Sequence, residues 1–159
     1  MQTMWAPWRI DYILGKKEPG CAFCKALDPG GELTLYRGPQ TLVVMNKFPY
    51  TNGHLLVAPV RHVATLGELD RDEMGALLAT VERSIAVLRA GIRPEGFNVG
   101  LNLGKVAGAG IEEHLHFHVV PRWSGDTNAL AVFADVRVIP QHLLETHALL
   151  KPHFDRITA

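Results

Sequence analysis

The chain has 159 residues, which suits one domain, and its 16 basic and 16 acidic side chains leave no net charge. That balance argues against a nucleic-acid coat or a binder of anionic membranes. Apolar residues make up 47% and charged residues 20%, which excludes bulk disorder.

No stretch approaches 18 apolar residues, so no membrane-spanning helix is expected. Arg9 and Asp11 stand where a signal peptide needs an apolar core, so a cytoplasmic location is expected. Residues 1–20 are rich in aromatics and read as an arm packed on the body. Residues 21–32 read as a short helical turn and a loop punctuated by Asp28-Pro-Gly-Gly31. Leu33–Tyr36, Thr41–Asn46 and His54–Val60 read as strands, with Phe48-Pro-Tyr-Thr-Asn-Gly53 as a turn. Residues 70–90 carry Met74, Leu77, Leu78, Val81, Ile85 and Leu88 at helical spacing. Asp70 with Glu73 resembles a capping box, and Gly91 suits a left-handed C-terminal position. Phe97–Leu103 and Leu115–Trp123 are expected strands flanking a glycine loop at 104–110, and 130–138 is a further candidate. Pro140 is expected to open a C-terminal helical extension over 139–159, ending near Ile157. Strands and helices do not alternate regularly, which favours a single α+β domain over 1–159. Its sheet would be antiparallel, with about five strands, one long helix and a C-terminal helix.

The chemistry concentrates in His114-Leu-His116-Phe-His118. Eight histidines in 159 residues would produce such an alternation by chance only about 0.02 times per chain, so composition does not explain it. On a strand, alternate residues share one face at steps of about 6.6 Å, so the three imidazoles would project together. The preceding loop holds Gly104, Gly108 and Gly110, which permit positive φ and a nest of amides for an anion. Cys21 and Cys24 are the only cysteines, and they read as either a redox pair or half of a metal site.

His-Leu-His-Phe-His-Val-Val at 114–120 resembles the motif of the histidine-triad family. The likeness extends to Cys-x-Phe-Cys at 21–24, Asn46, Gly-His-Leu-Leu-Val-Ala-Pro at 53–59 and Asn102-Leu-Gly104. Trp5-Ala-Pro-Trp-Arg9, His-Val-Val-Pro-Arg-Trp at 118–123 and Gly125-Asp-Thr-Asn128 are similar to the diadenosine-tetraphosphate phosphorylase or ATP adenylyltransferase branch. The resemblance implies a nucleotide substrate and a histidine-triad fold. It implies His116 as a nucleophile that becomes nucleotidylated, and His118 as a contact to the phosphate. Asn46 would contact the ribose, and Asn102, Gly108, Ala109 and Gly110 would lie at the phosphates. A carbonyl of Gly108 or Gly110 is expected to fix the His116 tautomer. It further implies a structural zinc ion on Cys21, Cys24, His62 and His114, and a homodimer with an extended sheet. The helix at 70–90 and the aromatic arm are candidate dimer surfaces.

His54 is expected to support the site by hydrogen bonding and is the substitute metal ligand should His62 not serve. His142, His147 and His153 read as surface residues of the C-terminal helix. Asp126 and Asn128 are candidate contacts to nucleotide or to the incoming group, although Ser124-Gly125-Asp126 reads equally as a turn. The loop lacks the Gln, Ser or Thr that hydrolase branches often carry before the triad, so backbone groups must bind more of the phosphate. Water and inorganic phosphate both stay open as the resolving group. Two other readings compete. A catalytic zinc on all three triad histidines fails on span, since the three positions cover about 13 Å and zinc–nitrogen bonds are about 2.0–2.1 Å. A phosphoramidate hydrolase, or a nucleotide-binding regulator with slow turnover, remains the alternative.

Overall fold

The computed structural model describes residues 20–28, 31–126 and 139–156. Among them lie helix α1 (Ala22–Ala26), strands β1 (Thr34–Arg37), β2 (Thr41–Met45) and β3 (Leu55–Pro59), helix α2 (Arg71–Ile92), strands β4 (Gly96–Gly100) and β5 (Phe117–Arg122), and helix α3 (Leu143–Asp155). The five strands form one sheet in the order β1-β2-β3-β5-β4. Every neighbouring pair is antiparallel, so the α+β architecture stands. The arm over residues 1–19, the expected strand at 130–138 and Asn128 lie outside the described residues.

The pleat divides the buried strands between two faces. Val43, Met45, Leu55, Val57, Leu115 and Val119 pack with Leu77, Val81, Leu88, Leu150 and Phe154 under α2 and α3. The alternate residues Leu42, Val44, Leu56 and Ala58 join Phe23 on the opposite face, beneath α1. Because Leu55 pairs with Val119 and Leu56 with His118, the register puts His118 on that second face, away from the long helices.

Asp70 caps α2 as expected. Its carboxylate accepts from the Glu73 amide at 2.8 Å, while Glu73 accepts from the Asp70 amide at 3.0 Å. Arg61 grips the same Glu73 carboxylate, at 2.8 and 2.7 Å, and this contact holds Glu73 down to about 2. Leu78, placed on the apolar stripe by its spacing, is 50% exposed, and Thr80, Ser84 and Val87 are buried instead.

Two helix ends differ from expectation. The left-handed residue closing α2 is Arg93 (φ 48°), followed by Pro94, and not Gly91. Gly91 lies within the helix, where a Cβ would come within 2.8 Å of Leu150 Cδ2, so its use is the close approach of α3. Pro140 does not open the C-terminal helix. α3 begins at Leu143, and the His142 ring accepts from the Leu144 amide at 3.3 Å as its N-cap. His147 is half-buried and lies 3.1 Å from the Thr34 carbonyl, so it anchors α3 to β1 and is not a plain surface residue.

Candidate active site and metal centre

The triad does not lie on one regular strand. β5 begins only at Phe117, so His114 and His116 precede it on irregular backbone. The three rings therefore diverge: His114 turns toward the cysteines, while His116 and His118 stay together with centroids 5.0 Å apart.

His116 is 6% exposed, and its ring lies against Phe23 at 4.9 Å. Its Nδ1 is 2.8 Å from the carbonyl oxygen of His114. A carbonyl only accepts, so Nδ1 carries the proton and Nε2 keeps its lone pair. The tautomer-fixing carbonyl thus belongs to His114 and not to Gly108 or Gly110. Burial pushes the His116 pKa below its ordinary value, which keeps the ring neutral near pH 7.

A second chain of hydrogen bonds fixes His118. The Tyr50 amide donates to His54 Nδ1 at 3.1 Å, so a neutral His54 carries its proton on Nε2. That nitrogen lies 3.0 Å from His118 Nδ1, which must accept. His118 is then left with Nε2–H as an outward donor; the Asn102 side-chain nitrogen 3.5 Å away is itself a donor and does not accept it. Burial, with a smaller effect from His116, lowers the His118 pKa to about 4. Asn46 follows β2 beside His54: its Nδ2 is 3.3 Å from His54 Nδ1, and its Oδ1 accepts from the Phe48 amide at 2.9 Å.

The glycine loop has positive φ at Gly104 (83°) and Gly108 (91°) but not at Gly110. A 3-10 turn over Lys105–Ala107 engages the amides of Ala107 and Gly108 within the loop. The Ala109 amide donates to the Gly104 carbonyl at a longer 3.4 Å, so of the Gly108, Ala109 and Gly110 amides the last alone has no such bond among the described residues. Asp126 holds Arg122 at 2.6 and 2.8 Å, and its carboxylate accepts from the Trp123 amide at 3.1 Å. Of the two readings of Ser124-Gly125-Asp126, the turn is the one this arrangement builds.

Cys21, Cys24, His62 and His114 converge, with one ligand atom from each lying within 4.8 Å of the others. Cys21 Sγ is 3.2 Å and Cys24 Sγ 3.8 Å from His114 Nδ1, and Cys24 Sγ is 3.3 Å from His62 Nδ1. Bonds of about 2.3 Å to sulfur and about 2.0–2.1 Å to nitrogen give a zinc tetrahedron edges of roughly 3.4–3.8 Å, so the residues fit a four-coordinate ion. His114 Nε2 lies 2.9 Å from the Pro59 carbonyl, which aims the Nδ1 lone pair at the thiols, as metal-ligating histidines require. Burial, reinforced by Cys21, pushes the Cys24 thiol above its ordinary value.

Sequence reasoning missed Tyr50 and Phe23. Tyr50 stacks on His118, and Phe23 lies against both His114 and His116. The signals were local: Phe23 lies inside the Cys-x-x-Cys turn, and Tyr50 precedes His54 by four residues across a turn.

The HIT domain family model matches residues 32–125. The AP-4-A phosphorylase of Mycobacterium tuberculosis is 39% identical, covering 98% of this chain and 86% of its own length. Adenosine 5'-monophosphoramidase of Schizosaccharomyces pombe is 32% identical over 64% of this chain and 74% of its own. Among solved structures, a zinc-bound histidine triad family protein from Mycobacterium smegmatis superposes with a TM-score of 0.68 at 27% identity, covering 87% of this chain and 95% of that one. Fold, site and relatives together support a nucleotide hydrolase or transferase of the histidine-triad type. The chain belongs to the HIT family.

Proposed function

We propose that this protein cleaves dinucleoside polyphosphates, such as diadenosine tetraphosphate, through a nucleotidyl-histidine formed on His116. One observation carries the reading: a buried, neutral His116 whose Nδ1 is held by the His114 carbonyl, so that Nε2 offers a lone pair. Nε2 attacks the α-phosphorus. A P–N bond forms, the bridging P–O bond breaks, and its electron pair leaves with the departing polyphosphate. His118 donates its Nε2–H to a phosphate oxygen as charge develops, and the amide of Gly110 does the same. Asn102 orders the loop around the phosphates through its 3.5 Å contact with the Gly108 carbonyl. Asn46 retains one free lone pair on Oδ1 for a ribose hydroxyl. Phosphate or water then attacks the phosphorus and restores the imidazole.

The similarity to an AP-4-A phosphorylase over nearly the whole chain favours phosphate as the resolving group. The monophosphoramidase relative keeps a phosphoramidate substrate as the second reading. The metal ion is assigned as zinc, held by Cys21, Cys24, His62 and His114. Bound there, it supplies a closed structural crosslink between α1 and the approach to β5. The protein acts as one domain over 1–159, in the cytoplasm. It acts as a homodimer in which β4, which among the described residues pairs only with β5, meets a second copy.

The test is product analysis with diadenosine tetraphosphate and an adenosine phosphoramidate, with and without inorganic phosphate. ATP plus ADP in the presence of phosphate means phosphorolysis, and AMP plus ATP means hydrolysis. Mass spectrometry of the quenched protein should find AMP on His116. Turnover of the phosphoramidate alone would overturn the polyphosphate assignment.

A further inference from the structure

Tyr50 lies in the turn between β2 and β3, and its ring is 40% exposed. That ring stacks on His118 with centroids 5.8 Å apart and planes at 12°, and meets His54 at 4.7 Å and 39°. Its backbone amide is the donor that fixes His54 Nδ1 as an acceptor, at 3.1 Å. The turn itself is tied down on both sides. Thr51 donates to the Pro121 carbonyl at 2.8 Å. Asn52 accepts from the buried Thr146 hydroxyl of α3 at 3.0 Å and donates to Gln141 at 3.3 Å. The aromatic ring is thus presented by a segment with fixed polar anchors, not by a free loop tip.

We infer that Tyr50 is a positioning residue for His118: its amide sets the proton on His54, and its ring holds the plane of the His118 imidazole. The inference rests on the reading of His118 as a phosphate contact. The physical need is plain. An imidazole turns about a broad terminal torsion, and a half-turn exchanges its two edges. Turned over, His118 would place Cδ2 against His54 and Cε1 where Nε2–H stood, so an anionic oxygen would lose its donor. The His54 bond favours the productive edge, and a parallel aromatic face restrains rotation away from it. The phenol hydroxyl takes no part in this, so the ring alone should suffice. High exposure also means that the ring is not required for the core.

The experiment compares Tyr50→Phe and Tyr50→Leu in the full-length protein. It uses steady-state kinetics on diadenosine tetraphosphate, thermal melting and 15N spectra of the His118 ring. Tyr50→Phe should stay within about twofold of the parent. Tyr50→Leu should lose about 10- to 100-fold in kcat with little change in KM and a near-parental melting temperature. Its His118 spectrum should change from one Nε2–H tautomer to a mixture. The inference is overturned by a Tyr50→Leu protein with parental kcat, by a loss confined to KM, or by a Phe variant as impaired as Leu. If the Leu variant does not fold, the parent spectrum decides: Nε2–H on His118 supports the inference and Nδ1–H overturns it. A parent that turns over no nucleotide would defeat the proposed function, and the same spectra would still decide the role of Tyr50.

Discussion

The carbonyl oxygen of His114 lies 2.8 Å from Nδ1 of His116, while the ring of the same His114 faces Cys21 at 3.2 Å. One residue therefore belongs to the cysteine–histidine cluster through its side chain and orients the proposed nucleophile through its backbone. Phe23, inside the Cys21–Cys24 turn, adds a second link by packing on both rings, at 5.0 and 4.9 Å.

Removing the metal should therefore lower both stability and rate. We expect about one zinc per chain by elemental analysis. Chelation or Cys24→Ser should lower the melting temperature by at least about 5 °C. The rate should fall by roughly 10- to 100-fold, as it does when the groups orienting a metal site are lost. A purified protein with no metal and a Cys21–Cys24 disulfide would sink the zinc assignment.

His116→Asn should abolish turnover of diadenosine tetraphosphate while leaving a folded, nucleotide-binding protein. Asparagine has similar size and polarity but no ring lone pair with which to attack phosphorus. His118→Asn should be milder, with a loss of about 10²–10³ in kcat, the usual effect of removing one donor to a developing charge. Calorimetric titration with AMP checks binding in both variants. Near-normal turnover by His116→Asn would defeat the mechanism.

The His118 pKa of about 4 fixes a sign for the effect of acid. The unfolded chain takes up this proton near 6.5 and the folded chain only near 4. Between these values the unfolded state binds more protons, so this group removes stability as pH falls through the window. Urea unfolding should show the parent losing stability relative to His118→Asn between pH 6.5 and 4, with the two curves parallel above pH 7. A relative gain in the parent on acidification would contradict the buried, neutral imidazole.

Gly53→Ala tests the turn that leads into His54. Gly53 has φ 72°, and a Cβ there would meet Ile92 Cδ1 at 2.5 Å. The left-handed backbone costs about 1–2 kcal/mol for an L side chain, while the Ile92 terminal methyl can turn aside. Denaturant titration should show a loss of about 1–2 kcal/mol. An unchanged midpoint would mean that the turn relaxes freely.

Much of the protein was legible locally. The short apolar runs at 41–46 and 54–60, the helical stripe at 70–90 and the Asp70–Glu73 pair are all short-range patterns, and each element formed close to where it was expected. The four residues of the candidate metal site were named from the family likeness, and the fold brings them together. What stayed hidden depended on contacts between distant segments. Gly91 looked like a helix end because glycine marks such ends, yet the chain continues to Ile92, and α3 packs where the missing Cβ would be. The triad looked like one strand face because alternation is the strand signature. Irregular backbone before Phe117 instead turns His114 toward α1, which is 90 residues away in sequence, and leaves His116 and His118 as the pair. The tautomers divide between the two levels. His116 and His54 take theirs from near neighbours, the His114 carbonyl and the Tyr50 amide, whereas His118 and His114 take theirs from His54 and the Pro59 carbonyl, 64 and 55 residues away. A ring's proton is set by whichever group lies within about 3 Å, and for the last two only the tertiary structure supplies that group.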